Sequence, residues 1–122
     1  MTPDILVKKL LAQRESWVDL GGKRVRIRRP AETEIFALLE IRDGKPASLK
    51  VGLEEVKRRV VDWEGFTEAD LIVSGASDPV EFDAGLWCAL IEDRREWVSP
   101  IAKALIDAII AHESAAEADR GN

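Results

Sequence analysis

Basic side chains are concentrated in one short segment of this sequence. Five Lys or Arg residues occupy the seven positions from 23 to 29, in a chain whose net charge is -5. They are Lys23, Arg24, Arg26, Arg28 and Arg29, and Trp17 precedes them. Such side chains can follow a phosphate backbone, and an indole ring can stack on a base. The segment therefore predicts nucleic-acid binding, contact with a protein partner, or a solvated strand face whose charges protect an exposed edge.

Residues that could perform catalysis or hold a metal are few. The chain has one histidine, His112, and one cysteine, Cys88. A nucleophilic triad needs a nucleophile, a base and an orienting group, and zinc usually takes three or four nitrogen or sulfur ligands. Adjacent acids such as Glu54 and Glu55 point about 100° apart on a helix, which favours solvent over a shared proton. The sequence also has no glycine-rich phosphate loop. We therefore predict a protein that is not an enzyme, with no catalytic residues, metal or cofactor.

The length and composition are those of an ordinary single domain. A chain of 122 residues buries roughly two thirds of its unfolded surface, which supports one core. No apolar run approaches the roughly 20 residues that span a bilayer, and the first residues lack the pattern of a secretory signal. The single cysteine cannot form an internal disulfide. These features predict a cytoplasmic protein that has no membrane partner.

Charge is distributed unevenly between the two halves of the chain. Residues 1 to 61 carry a net charge of +5, and residues 62 to 122 carry -10. Such a dipole favours head-to-tail self-association, or a partner that is charged on one side. Two separately solvated faces are the alternative.

The N-terminal third is predicted to contain a helix and a β-hairpin. Pro3 and Asp4 suit a first helical turn, so a helix is expected from residue 3 to about 14, with Leu6 and Leu10 in its apolar stripe. Gly21 and Gly22 can form a two-residue turn, which predicts a hairpin over about residues 16 to 29. Its register sets Trp17 against Arg26, Val18 against Val25 and Asp19 against Arg24. Arg24 could then pair with Asp19, and Arg26 could lie over the Trp17 ring.

The rest of the chain is predicted to be helical. One helix is expected over residues 31 to 43, and a second from Ser48, because Leu49, Leu53, Val56, Val60 and Trp63 recur at helical spacing. Lys57, Arg58 and Arg59 would lie on its solvent side. A short turn at residues 67 to 70, a helix capped by Asp83 and a last helix from Ser99 and Pro100 follow. The predicted fold class is α+β and mainly α-helical, with about five helices and one N-terminal β-hairpin. Residues 1 to 113 would form the single domain, and residues 114 to 122 a flexible tail.

The four tryptophans divide into two classes. Trp63 and Trp87 lie at helical spacing with other apolar residues, which predicts core packing. Trp17 and Trp97 are less easily buried, and either could anchor an interface. The candidate interface residues are therefore Trp17, Lys23, Arg24, Arg26, Arg28, Arg29 and Trp97.

Four segments of the sequence carry a family resemblance. In chain order they are WVDLGGKRVRIRRPAETE, VVDWEGFTEADL, DPVEFD and SPIAKALIDAI. Together they resemble small proteins encoded among the tail genes of long-tailed bacteriophages and prophages, in particular tail assembly chaperones. The similarity covers residues 15 to 110 and includes no catalytic motif.

The resemblance implies a non-enzymatic, mostly helical protein of the bacterial host cytoplasm. Such a protein self-associates and coats the tape-measure protein until tail-tube subunits displace it. Two alternatives stay open: a nucleic-acid-associated accessory protein that uses the basic hairpin, and a structural head-tail connector component. The sequence does not favour nucleic acid as a partner, since its isoelectric point is about 5.0 and no helix-turn-helix, zinc or RNP pattern occurs.

Overall fold

The chain folds around two small antiparallel sheets that are flanked by helices. The structure is a computed structural model, and it describes residues 1 to 120. Within that range there are six helices and five strands. In chain order they are α1 (Pro3–Ala12), β1 (Glu15–Asp19), β2 (Arg24–Arg28), α2 (Glu32–Leu38), β3 (Leu39–Arg42), β4 (Lys45–Leu49), α3 (Leu53–Arg59), β5 (Val60–Glu64), α4 (Glu68–Leu71), α5 (Ala84–Ile91) and α6 (Arg95–Arg120). One sheet has the strand order β1-β2-β5, and β3 and β4 form the other.

The predicted fold class is wrong. A mainly helical domain with one N-terminal β-hairpin was expected, but the N-terminal region is a helix followed by strands of a three-stranded sheet, and a second sheet is present. Two predicted helices end after seven residues each, and strands β3 and β5 follow them directly. The prediction failed because apolar spacing was interpreted as helical where strand pairing determines the structure.

The residue pairs predicted between β1 and β2 are present. Trp17 lies opposite Arg26, and Val18 lies opposite Val25. Gly21 and Gly22 both have positive φ, at 77° and 85°, which glycine adopts at little cost. The pairing of β5 with the other edge of β2 was not predicted.

A β-bulge explains why β5 resembles a helix in the sequence. Arg26 pairs with Asp62, but the next residue, Ile27, pairs with Val60, so the register shifts by one residue. The extra residue brings Val60 and Trp63 to the same buried face although they are three positions apart. Residues three apart also share one face of a helix. The bulge therefore gives this strand a spacing of apolar residues that is typical of a helix.

The β3–β4 pair depends on a turn at Asp43 and Gly44. Both residues have positive φ, at 54° and 77°, as a two-residue hairpin turn requires. A helix was expected over residues 31 to 43, but residues 39 to 42 form β3 instead. The Asp-Gly pair is itself a strong hairpin signal, and it could have identified these strands.

The main core lies between the three-stranded sheet and helices α3, α5 and α6. Its fully buried side chains include Val25, Ile27, Val56, Trp87 and Ile101. Trp63 and Trp87 are buried, which confirms the prediction for both. Their indole N–H groups donate to the backbone oxygens of Val80 (2.7 Å) and Val56 (3.1 Å). A smaller cluster of Ile35, Leu38 and Ile109 joins α2 to α6.

The helix caps were predicted more accurately than the helix lengths. The Asp83 carboxylate accepts a hydrogen bond from the Leu86 amide (2.8 Å), and Thr67 and Asp70 form a capping box at the predicted short turn. Helix α6 begins at Arg95, so Pro100 lies inside it and not at its start. Of the predicted tail, residues 114 to 120 belong to α6, and residues 121 and 122 lie outside the described part of the chain.

Candidate interaction surfaces

Most of the predicted basic residues lie on one face of the three-stranded sheet, directed away from the core. We call this the outer sheet face, and along β2 its residues alternate with the buried Val25 and Ile27. It consists of Glu15, Trp17, Arg24, Arg26, Arg28, Asp62 and Glu64. The structure therefore brings together four of the seven predicted interface residues.

Each arginine of the outer sheet face has an acidic partner. Arg28 contacts the Glu15 carboxylate at 2.6 Å and 2.8 Å. Arg26 lies 3.3 Å from Asp62 and 3.7 Å from Glu15. Arg24 contacts Glu64 at 2.6 Å, so its partner is not the predicted Asp19. The charge of this face is therefore balanced within the molecule.

The Trp17 ring lies beneath two of these arginines. The guanidinium carbon of Arg24 is 4.1 Å from the ring centroid, and that of Arg26 is 5.5 Å away. The Arg26 contact is the predicted one, and the closer Arg24 contact was not expected. Each such contact contributes about 0.5–1 kcal/mol at an exposed site. A nucleic-acid base or a partner ring that stacked on the indole at this position would have to displace an arginine.

Lys23 and Trp97 lie together at the edge of the main core. The half-buried Trp97 ring stacks on Trp87 with centroids 6.5 Å apart, and meets Phe66 edge to face at 5.7 Å. The Lys23 ammonium is 5.7 Å from the same ring and 3.1 Å from the Asp70 carboxylate. Trp97 thus closes one side of the core, and Lys23 joins the β1–β2 turn to α4.

Asp70 combines a helix-capping role with this ion pair. Its carboxylate accepts hydrogen bonds from the Thr67 amide (2.7 Å) and hydroxyl (3.0 Å). Burial acts to raise the pKa of Asp70, but hydrogen bonds from Thr67 and from Lys23 outweigh it, and the pKa lies below the usual value. The ionised carboxylate is therefore the form that the folded protein stabilises.

Arg29 lies apart from the other predicted residues. It follows β2 and donates a hydrogen bond to the Pro30 backbone oxygen at 3.0 Å. Burial, and then the nearby charge of Arg14, lower its pKa, while Glu32 and Glu113 act in the opposite direction. An interface role for the seven predicted residues stays a prediction. Five of them contact acidic or aromatic side chains of their own chain, and Trp17 contacts Arg24 and Arg26.

Two charged residues predicted to face solvent are buried. Arg59 and Glu55 pair at 2.8 Å, four residues apart on α3, with side chains that are each 11% exposed. Glu34 lies 3.3 Å from the same guanidinium. The pKa of Glu34 is lowered, first by the hydrogen bond from the Ala31 amide and further by Arg59, although burial opposes both. This network connects α3 to α2 and was missed because adjacent acids in a sequence carry no signal of burial.

Helix α1 exposes most of its apolar side chains. The helix forms where it was predicted, but none of its residues is buried. The side chains of Ile5, Leu6, Val7 and Leu10 are between 46% and 56% exposed. Leu6 and Leu10 belong to the predicted apolar stripe, and neither belongs to a core cluster.

A second apolar surface lies between α2, the β3–β4 hairpin and the C-terminal half of α6. We call it the α6 groove, and its volume is about 530 Å³. Its apolar lining residues include Phe36, Leu39, Pro46, Leu49, Ile109 and Ile110. Its charged lining residues are Glu32, Glu113, Glu117 and Arg120. Phe36 is 78% exposed and Ile110 is 53% exposed, so a substantial apolar area faces solvent.

The side chains that could take part in catalysis or metal binding are dispersed in the fold. The Cys88 thiol lies 3.7 Å from the Lys57 backbone oxygen, and His112 lies 3.6 Å from Glu32. Residues 1 to 120 contain no group of three or more His, Cys, Asp or Glu that could hold a metal ion. No helix in the same range is long and apolar enough to cross a membrane. Comparisons of the chain with models of known protein families, with curated proteins and with solved structures found no match.

Proposed function

We propose that this protein is a non-enzymatic bacteriophage tail assembly chaperone, or a related tail morphogenesis factor, that self-associates and binds the tape-measure protein. The observation that carries the proposal is the apolar face of α1, which lies outside both core clusters. Its support from the sequence is the resemblance over residues 15 to 110, which includes the basic strand and the VVDWEGFTEADL segment.

The exposed apolar surfaces fit a protein that shields helical segments reversibly. Burial of apolar surface contributes about 25 cal/mol per Å², so a few half-exposed aliphatic side chains give a modest, reversible association. Acidic residues around the α6 groove would supply the polar rim that such interfaces usually have. A chaperone that tail-tube subunits later displace needs weak and repeated contacts of this kind.

Co-expression with the tape-measure protein of the same tail gene cluster tests the proposal. The long helical tape-measure protein is expected to be insoluble alone, and to enter the soluble fraction as a complex with this protein. An acidic protein of similar size serves as the control for a general effect of co-expression. Equal insolubility with both partners would contradict the proposal.

The nucleic-acid alternative has less support from the geometry. Arg24, Arg26 and Arg28 pair with carboxylates of their own sheet, so a phosphate would have to compete with these ion pairs. A labelled duplex and a labelled single strand are therefore expected to show no salt-sensitive binding at micromolar protein. Tight binding with a steep salt dependence would favour the accessory-protein alternative.

A connector component would differ from a chaperone in its final location. We expect the protein to be absent from purified virions, because tail-tube subunits replace the chaperone during assembly. Its stoichiometric presence in mature particles would favour the connector alternative.

A further inference from the structure

We infer that helix α1 of one copy docks into the α6 groove of a second copy. The inference rests on the proposed function, because self-association is part of it. It identifies the two surfaces that meet and predicts that they are different surfaces, so the association is head to tail.

The two surfaces match in length. Helix α1 has ten residues, which at 1.5 Å per residue span about 15 Å. The residues of α6 that line the groove run from Ile109 to Arg120 and span about 18 Å by the same measure. The groove is therefore long enough for the apolar face of α1 to lie along the axis of α6.

The two surfaces also match in polarity. The apolar face of α1 includes Leu6, Val7 and Leu10, which are exposed. The groove offers Phe36 and Ile110, which are exposed as well. An amphipathic helix in an apolar groove is a common mode of recognition, and here one contact would cover both exposed surfaces.

Charge favours the same pairing. Lys8 and Lys9 lie on α1 outside its apolar face, and long lysine side chains can reach the rim of an interface. The rim of the groove carries Glu32, Glu113 and Glu117 against a single Arg120. Opposite charges across a rim steer association and disfavour the reverse arrangement, in which two acidic grooves would face each other.

The connection between α1 and β1 keeps the helix out of the groove of its own chain. Only residues 13 and 14 separate α1 from β1. The Gln13 amide donates to Lys9, and the Arg14 amide donates to Leu11, so these residues continue the helix end. The Arg14 backbone oxygen accepts from the Arg29 amide at 2.8 Å, which ties this connection to the end of β2. The groove of another copy is therefore the one that α1 can fill.

Paired variants of the full chain test this arrangement. The double variant Leu6→Asp with Leu10→Asp removes the helix surface, and Phe36→Asp with Ile110→Asp removes the groove surface. All four side chains are exposed, so we expect both variants to fold, which circular dichroism and thermal unfolding check. Each variant alone should self-associate about 30-fold or more weakly than the wild type, as loss of central interface residues does.

Mixing the two variants provides the decisive measurement. The groove variant keeps an intact α1 and the helix variant keeps an intact groove, so the mixture should form a one-to-one complex that grows no further. Sedimentation velocity or light scattering of the mixture measures this. A mixture that stays monomeric while wild-type chains associate would overturn the inference, as would a wild type that stays monomeric at millimolar concentration.

A charge exchange gives an independent readout. Lys8→Glu with Lys9→Glu, or Glu113→Lys with Glu117→Lys, should each weaken self-association about fivefold to tenfold at low salt. The chain that carries all four substitutions should recover most of the loss. The exchange Lys103→Asp with Asp107→Lys is the matched control, because it reverses an exposed ion pair of α6 outside the groove. Equal losses in the control and in the rim variants would overturn the inference.

The same variants separate this inference from the proposed function. If the mixture fails to form a complex but the wild type still solubilises the tape-measure protein, the docking inference fails and the chaperone proposal stands. If the mixture forms the one-to-one complex but the tape-measure protein stays insoluble, the chaperone proposal fails and the docking inference stands.

Discussion

At the scale of single residues, the basic side chains of residues 23 to 28 are paired with carboxylates of the same chain. Arg24, Arg26 and Arg28 contact Glu64, Asp62 and Glu15, respectively, and Lys23 contacts Asp70. The two more exposed pairs, Arg24 with Glu64 and Arg26 with Asp62, contribute about 0.2–1 kcal/mol each. The segment is therefore better described as part of a balanced charge network than as a free basic surface.

We predict that Asp70→Ala destabilises the fold by about 1–2 kcal/mol at neutral pH, because it removes the helix cap of α4. Since the pKa of Asp70 is lowered by folding, its contribution is complete above the usual pKa of 3.8 and is lost as the pH falls through the lower folded-state value. Urea unfolding from about pH 7 to about pH 2 should show the variant and the wild type converging. The exposed Glu81→Ala is the control. A difference that does not change with pH would contradict the charge-based account.

A second residue-scale prediction concerns the buried pair on α3. Glu55→Ala should destabilise the fold by about 2–3 kcal/mol, because it leaves the buried Arg59 guanidinium with only the longer contact to Glu34. Replacing both partners by apolar residues, Glu55→Leu with Arg59→Met, should cost less than the single change. Denaturant unfolding measures both variants. A double variant at least as unstable as the single one would show that the pair itself stabilises the fold.

At the scale of elements, the residue after β5 lies close to the turn between β1 and β2. Gly65 follows β5 directly and has a φ of 82°. A Cβ atom at this position would lie 3.1 Å from the Gly22 backbone oxygen and 3.2 Å from the Lys23 Cα atom. Both the backbone conformation and the space therefore require glycine.

We predict that Gly65→Ala destabilises the fold by about 2 kcal/mol, since a left-handed conformation costs a non-glycine residue about 1–2 kcal/mol before any displacement of the turn. Gly52→Ala is the matched control, because a Cβ atom there meets nothing within 4 Å and its φ is negative. Thermal unfolding of both variants measures the difference. Equal effects would show that the approach to the β1–β2 turn is not a constraint.

At the scale of the whole molecule, the apolar surfaces and the arginines are two candidate interfaces for the proposed self-association. The sequence alone favours the basic segment, which would engage the acidic half of a neighbour. The structure favours α1 and the α6 groove, because the arginines already have partners and the apolar side chains do not.

We therefore predict that the triple variant Arg24→Gln, Arg26→Gln and Arg28→Gln keeps self-association within about twofold of the wild type, since it leaves the α1 and groove surfaces intact. Analytical ultracentrifugation beside the Leu6→Asp, Leu10→Asp variant provides the comparison. If the triple variant loses association and the Leu6→Asp, Leu10→Asp variant does not, the basic segment forms the interface.

The sequence by itself determined the features that depend on neighbouring residues. The helix start at Pro3, the cap at Asp83 and the capping box at Thr67 follow from local backbone chemistry. The opposition of Trp17 and Arg26 follows from a two-residue glycine turn, which leaves only one register. Burial of Trp63 was also predictable, because a large apolar ring among apolar neighbours is buried in a helix or in a strand.

Only the tertiary structure decided the features that join distant segments. The bulge that places Val60 and Trp63 on one face exists because β5 pairs with β2, more than 30 residues earlier in the chain. The choice of Glu64 over Asp19 as the partner of Arg24 has the same origin. The burial of Arg59 depends on α3 lying close to α2. The sequence shows where the apolar side chains lie along the chain, but contacts between distant segments decide which of them are buried. Here those contacts leave the apolar side chains of α1 and of the α6 groove exposed.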